Sequence, residues 1–258
     1  MLNAFGYRNM SLVLAVLALT AGLLGAYFAL ERDDETIKRK NEIRDALKRQ
    51  IREGNEIDKD EQRRPLTVSE TLHTRSFWFL WTTWILAGAA GVSMTVLSTG
   101  YGLSLGLPLE GAVLILTAFN LTNGTGRLAS GYFSDRLGRR RVMSLAFLAA
   151  GLAYFLFPLA GDLPTSAILA AVVGLSFGTL FSVSAPLVAD CFGLDHFGAI
   201  FGLTFAAYGF LAGPLGPTLS GYLLDLNGGN FIPIFLYLGA FSLLAALSIR
   251  QVVSPERR

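Results

Sequence analysis

The run NGTGRLASGYFSDRLGRRR, Asn123 to Arg141, sets one arginine, Arg127, inside an apolar stretch and crowds four more, Arg136, Arg139, Arg140 and Arg141, into its last six residues. The two placements describe different environments. A helix leaving hydrocarbon gathers its cations where it meets water, whereas a charge facing lipid costs at least ~2.5 kcal/mol. Arg127 lies nine residues before Arg136, about 13.5 Å along a helix. That is too deep for the headgroups and short of the midplane, so an interior or cavity-facing position is expected. Thr117, Asn120, Asn123 and Arg127 follow one another at spacings of three, three and four, which gathers them on one helical face leading to the charge.

The rest of the chain supports a membrane setting. Of 258 residues, 52% are hydrophobic and 16% charged, and the mean hydropathy is +0.50, more apolar than a soluble domain of this length needs. The charges are segregated: 24 of the 40 lie between Glu31 and Arg75. A single cysteine, Cys191, excludes an internal disulfide framework. No Cys/His cluster has metal-ligand spacing, so neither a metal nor a cofactor is expected. Both histidines, His73 and His196, fall in loops, and no span carries a nucleophile with a base or a carboxylate dyad, which argues against an enzyme.

A helix crossing about 30 Å of hydrocarbon needs about 20 apolar residues. Seven stretches qualify, at 11–30, 77–97, 109–133, 142–159, 166–188, 197–223 and 231–249, so an all-α integral membrane protein with about seven transmembrane helices is expected. Alternate connections hold nineteen Lys and Arg against none, and the basic side reads as cytoplasmic. The C-terminus and the 31–76 loop are then inside and the N-terminus outside, with Arg8 the one exception. The loop carries twelve basic and twelve acidic residues, with Ile43, Leu47 and Ile51 at four-residue intervals. That pattern suits an amphipathic linker helix, with a regulatory or lipid-contacting role as the alternative. Its zero net charge argues against strong attachment to anionic lipid and against nucleic-acid binding.

Gly131-Tyr-Phe-Ser-Asp135-Arg136-Leu-Gly138-Arg139-Arg140 resembles the G-x-x-x-D-R-x-G-R-R signature of the major facilitator superfamily of secondary transporters. There it occupies the cytoplasmic turn after helix 2 and often recurs after helix 8. Gly131 permits close helix contact, Asp135 can hold an arginine at the helix ends, and Gly138 allows the tight turn. Matched to the second copy, the seven spans become the family's helices 6 to 12, with helices 1 to 5 expected to be missing. The FGYR opening at Phe5–Arg8 resembles the turn before helix 6. The expected divisions are a helix 6 equivalent at 1–30, an inter-half loop at 31–76, a six-helix bundle at 77–252 and a cytoplasmic tail at 253–258.

Ala189-Asp190-Cys-Phe-Gly193, Phe197-Gly198-Ala-Ile-Phe-Gly202, Ala207-Tyr208-Gly209 and Gly213-Pro-Leu-Gly-Pro217 resemble the oxalate/formate antiporter branch, a relative of the monocarboxylate transporters. In that branch the arginine of a helix 8 pattern N/D-x-x-x-R is implicated in binding the substrate carboxylate, and Asn123-Gly-Thr-Gly-Arg127 matches it. A guanidinium stays charged and offers a carboxylate a two-pronged fork. An arginine that snorkels to the surface or serves a structural hydrogen bond is the alternative. The resemblance implies a small-carboxylate site of Arg127, Asn123, Asn120 and Tyr208. Tyr208 stands where oxalate exchangers carry a second cation, a lysine, and one cation suits a monoanion better than a dianion. Asn123 stands where proton-coupled relatives carry an aspartate, and it cannot titrate.

Weaker positions complete the reading. Ser176, Thr179 and Ser182 can line the cavity or satisfy backbone carbonyls. Trp78, Trp81 and Trp84 suit interfacial anchoring, and Gly174/Gly178, Gly198/Gly202 and Gly209/Gly213 suit helix packing. Pro214 and Pro217 are expected to kink their helix, and Asp190 to pair with Arg139 or Arg140 as a cytoplasmic gate. The function implied is alternating-access transport of a small organic anion across the plasma or cytoplasmic membrane, together with an N-terminal half of the family. A non-transporting fragment, or an assembly partner for a separately encoded half, is the alternative reading.

Overall fold

The computed structural model describes residues 65–253 and three isolated positions, 16, 20 and 42. Apart from Val16 and Thr20, the first expected span lies outside the described residues, as do the FGYR turn, the Ile43/Leu47/Ile51 pattern and the last five residues. The regular structure of the described residues is helical throughout: α1 (Val68–Leu72), α2 (Arg75–Ser104), α3 (Leu109–Leu137), α4 (Arg139–Leu156, closed by a 3₁₀ turn at Phe157–Leu159), α5 (Leu163–Phe192), α6 (Phe197–Ala206), a π-helical turn (Ala207–Ala212), α7 (Gly213–Leu226) and α8 (Ile232–Arg250).

Five stretches among these are long and apolar enough to cross a membrane: Arg75–Ser104, Arg139–Leu159, Leu163–Phe192, Phe197–Leu226 and Ile232–Arg250. The first four each cover an expected span, and the fifth is shifted by one residue from the one expected at 231–249. The sixth, expected at 109–133, is α3, whose 29 residues meet the length requirement. Its stripe of Thr117, Asn120, Asn123 and Arg127 dilutes its apolar content, which suits a helix with one side in a polar cavity.

Local chemistry sets the helix ends. Thr74 caps α2 by accepting from the Phe77 N–H at 3.2 Å, and Asp162 caps α5 by accepting from the Thr165 N–H at 2.9 Å. The Thr165 hydroxyl also donates to Asp162, and the two bonds together hold its carboxyl below the ordinary range. Gly138, at φ +91°, joins α3 to α4 without a connecting loop; a side chain would strain that turn.

The core is aromatic at one end of the bundle. Phe157 and Phe235 stack at 4.5 Å between ring centroids, and Tyr101 meets Phe235 edge-on at 4.9 Å. The Tyr101 hydroxyl donates to the carbonyls of Phe157 and Ala160, and that of Tyr154 to Ala90. These bonds satisfy the buried polar tips and tie α2 to α4.

Among the described residues the packing departs from four expectations. Gly174 and Gly178 do bring helices together: a Cβ at Gly174 would lie 2.2 Å from the Phe119 carbonyl oxygen and one at Gly178 2.4 Å from that of Asn123. Gly198, Gly202 and Gly209, by contrast, have no described atom within reach, and Gly213 meets only the nearby Tyr208 carbonyl; these glycines face away from the described bundle. Gly131 likewise has open space where close contact was expected. Trp84 is fully buried and not an interfacial anchor, although Trp78 is half exposed and donates to the Leu72 carbonyl. Six residues turn a helix through about 600°, which puts Trp84 on a different face from Trp78.

The prolines mark an irregularity without containing it. Pro214 and Pro217 have no N–H to return to the carbonyls of Phe210 and Gly213, and the helix departs from α geometry in the turn just before them, Ala207–Ala212. That turn carries Tyr208.

Candidate functional site

Helices α3 and α5 run parallel, and the glycine contacts begin a ladder between them. Phe119 meets Gly174 and Asn123 meets Gly178; one turn further Arg127 meets Phe181, and beyond that the hydroxyls of Ser130 and Ser182 lie 2.8 Å apart. The third rung is the one with chemistry. The Arg127 guanidinium carbon sits 4.9 Å from the centre of the Phe181 ring, where the negative face of the ring attracts a cation. Its Nε donates a long bond, 3.4 Å, to Asn123 Oδ1. The remaining guanidinium donors have no partner among the described residues, and Arg127 is exposed on the described bundle.

Phe181 links the arginine to the rest of the site. Tyr208, on the π turn, meets Phe181 edge-on at 5.2 Å, and Trp84 meets it at 5.2 Å from α2. Phe205 completes the group, 5.3 Å from Trp84 and 5.4 Å from Tyr208. The indole N–H of Trp84 is buried with no acceptor among the described residues. Rings from α2, α6 and the π turn thus converge on Phe181, whose face holds the cation, and an anion reaching Arg127 would find its fork open.

Of the expected site residues, Arg127, Asn123 and Tyr208 come together here. Asn120 lies exposed about one turn before Asn123, and Thr117 exposed about one turn before that. Ser176 and Thr179 are buried, and Thr179 donates to the Leu175 carbonyl, so neither faces the opening. Ser182 is spent on Ser130. Phe181 escaped the sequence reading because one phenylalanine among 19 in apolar runs carries no mark. Its signal was its place at i+3 from Gly178 and i+7 from Gly174, on the face where α5 approaches α3.

A second constellation lies at the basic end of the bundle. Arg139 Nε lies 2.8 Å from Asp190 Oδ2, and Arg139 NH2 lies 3.7 Å from Asp135 Oδ1, so one guanidinium joins the start of α4, the end of α3 and the end of α5. Arg140 donates instead to the Val252 carbonyl at 2.8 Å, and Arg136 rests over Tyr132 at 4.3 Å. The Asp190 side chain is 55% exposed, so the pair itself contributes only about 0.5 kcal/mol to stability. Reversing the charge at Asp190 or Arg139 singly is expected to lower thermal stability, and reversing both to lower it by less than the sum of the two losses. A double-mutant cycle in thermal unfolding checks this: additive losses would mean that the two residues do not interact.

Among the described residues no group of three or more His, Cys, Asp and Glu could hold a metal ion. Cys191 is buried as a free thiol.

Comparison with known proteins places this geometry in a lineage. The Major Facilitator Superfamily profile matches residues 110–258. The chain is 31% identical over 140 residues to the oxalate:formate antiporter of Oxalobacter formigenes, covering 54% of this chain and 34% of that protein. It is 28% identical over 195 residues to monocarboxylate transporter 13 of Rattus norvegicus, covering 70% and 45%, and 27% identical over 172 residues to an uncharacterised MFS-type transporter of Escherichia coli, covering 65% and 41%. The chain spans less than half the length of these relatives. The matched region takes in α3 with Arg127, the Gly138 turn, α5 with Phe181 and the π turn with Tyr208, and a match over more than half of the chain makes this protein a member of the Major Facilitator Superfamily.

Proposed function

We propose that the chain supplies the C-terminal six-helix half of a secondary transporter for small organic anions, with Arg127 binding the substrate carboxylate. The observation that carries this is the Arg127 guanidinium, held by Asn123 and Phe181 with its remaining donors free on an open face. The names of two relatives, an oxalate:formate antiporter and a monocarboxylate transporter, point to the same ligand class. Residues 1–30 supply the helix before the bundle, 31–76 the cytoplasmic loop between halves, 77–252 the bundle and 253–258 the tail. The basic end and the C-terminus face the cytoplasm, and the N-terminus faces outside the cell membrane. An N-terminal half of the family closes over the open face, and substrate reaches Arg127 from either side in turn as the halves rock. The chain's role is transport and not catalysis.

With one cation and Tyr208 at the site, monocarboxylates should be preferred to dicarboxylates. In cells making the native polypeptide, unlabelled formate, acetate or lactate is expected to compete for labelled monocarboxylate uptake at least tenfold better than oxalate or succinate. Equal competition by the dianions would overturn the single-cation site.

A further inference from the structure

Where α4 begins and α8 ends, Arg140, Arg141, Leu145 and Arg250 line an open cavity of about 500 Å³. We propose that this cavity binds the phosphate of an anionic phospholipid, with the acyl chains lying along α4 and α8.

Two of the three guanidiniums are fixed by neutral acceptors. Arg140 donates to the Val252 carbonyl at 2.8 Å, and Arg250 Nε donates to Ser144 Oγ at 2.8 Å, whose own hydroxyl donates to the Ala246 carbonyl. Each guanidinium has five N–H donors, so most remain after these bonds. Arg141 is exposed, and while its backbone N–H donates to the Gly138 carbonyl, its guanidinium has no hydrogen bond or ion pair among the described residues. The carboxylates paired at this end, Asp135 and Asp190, both serve Arg139. Three like charges therefore share one cavity with no carboxylate paired to them among the described residues, and an anion there relieves their repulsion. A phosphate suits the site because its oxygens accept paired donors from pre-oriented guanidiniums.

The surroundings favour a lipid over a dissolved ion. From the cavity an exposed stripe of Leu145, Leu148, Leu152 and Leu156 descends α4 at spacings of three, four and four, and Leu247, Leu244 and Leu236 descend α8 from Arg250. A span end lies in the headgroup region, so a lipid whose phosphate entered the cavity would place its chains on these leucines. Free phosphate would use only the arginines.

The test uses the full 258-residue chain in nanodiscs of equal phosphatidylcholine and phosphatidylglycerol, extracted into mild detergent and weighed by native mass spectrometry. Phosphatidylglycerol is expected to be retained over phosphatidylcholine. The preference should fall about 25-fold in the R141Q/R250Q pair, about fivefold for each arginine. R75Q removes one charge at the same end outside the cavity and should keep the preference, whereas R141Q alone, also one charge, should lose about fivefold. The R141K/R250K pair keeps the charge without the fork and should fall in between; if the glutamine pair does not fold, an unchanged preference in the lysine pair overturns the proposal. So does equal loss in R75Q, which would show a diffuse surface effect, or the absence of any preference in the parent chain. Displacement of the lipid by millimolar inorganic phosphate would identify a soluble-anion site and overturn the lipid assignment.

Discussion

Replacing Arg127 with glutamine is expected to lower carboxylate uptake by two to three orders of magnitude at unchanged protein level. Glutamine keeps much of the length and some donors but removes the charge, leaving a carboxylate in the cavity without a counter-ion. Each hydrogen bond to a charged group contributes about 1.5–3 kcal/mol, so losing a two-pronged charged pair costs about 3–4 kcal/mol, or about 10²–10³-fold. Lysine is expected to recover part of the rate, because it restores the charge but cannot offer the planar fork or lie flat on Phe181. Phe181→Leu should cost less, about fivefold, since it removes a cation–π contact of about 1 kcal/mol and leaves the fork intact. The measurement is labelled monocarboxylate uptake by cells making the native polypeptide, with immunoblots to equalise protein. Uptake by the glutamine variant within threefold of the parent would remove Arg127 from the substrate site.

The second large effect is expected from the glycine ladder. A methyl at Gly174 or Gly178 would press within 2.2 or 2.4 Å of a carbonyl oxygen on α3, and a backbone atom cannot move aside by changing rotamer. Helix α3 must shift, so each alanine should cost about 3 kcal/mol, the upper end of the usual overpacking range. The pair should cost less than the sum, because the first displacement makes room for the second. Thermal unfolding in detergent, followed by size-exclusion chromatography of the surviving fraction, reads the loss. Gly198→Ala and Gly202→Ala serve as the contrast: both sites meet no described atom, and alanine's better helix propensity should leave stability unchanged or raise it by up to ~1 kcal/mol. Equal losses at the two pairs would mean that α3 and α5 are not held together by this ladder. Because the Gly178 contact is with the Asn123 carbonyl, its loss should also weaken substrate binding at Arg127, one turn away.

The helices were legible because lipid imposes one simple demand, a long apolar run, and Arg75–Ser104, Arg139–Leu159, Leu163–Phe192, Phe197–Leu226 and Ile232–Arg250 meet it with little noise. Even α3 was placed correctly, although its polar face lowers its apolar content, since the charged turn at Arg136–Arg141 marked its end. What the sequence concealed were relations between helices. Trp84 shares a three-residue spacing with two partly exposed tryptophans, and only its neighbours Phe181 and Phe205 reveal it as core. Gly131 and Gly198 look the same in sequence as Gly174, yet only Gly174 has a helix against it. Small size permits close approach without causing it. At the site, Arg127 and Asn123 stood out because polar residues are rare in apolar runs. Phe181 did not, because its role comes from the one cation placed on its face.

The π turn at Ala207–Ala212 has a consequence for helical phase. The buried residues along this span are Ile200, Thr204, Ala207, Ala212, Gly216 and Ser220, separated by four, three, five, four and four. A regular α-helix cannot hold one face inward across a gap of five; the fifth residue would rotate everything after it by about 100°. The wider turn absorbs that surplus residue, so Phe197–Ala206 and Gly213–Leu226 present the same side to the bundle although their sequences are out of step. Deleting one residue between Gly209 and Leu211 would restore a uniform period of three and four, letting the span run as a straight α-helix with both inward faces kept. The extra residue is therefore not needed to seat this helix on its neighbours. What it changes is the local pitch beside Tyr208, the one residue of the aromatic wall that the turn itself carries.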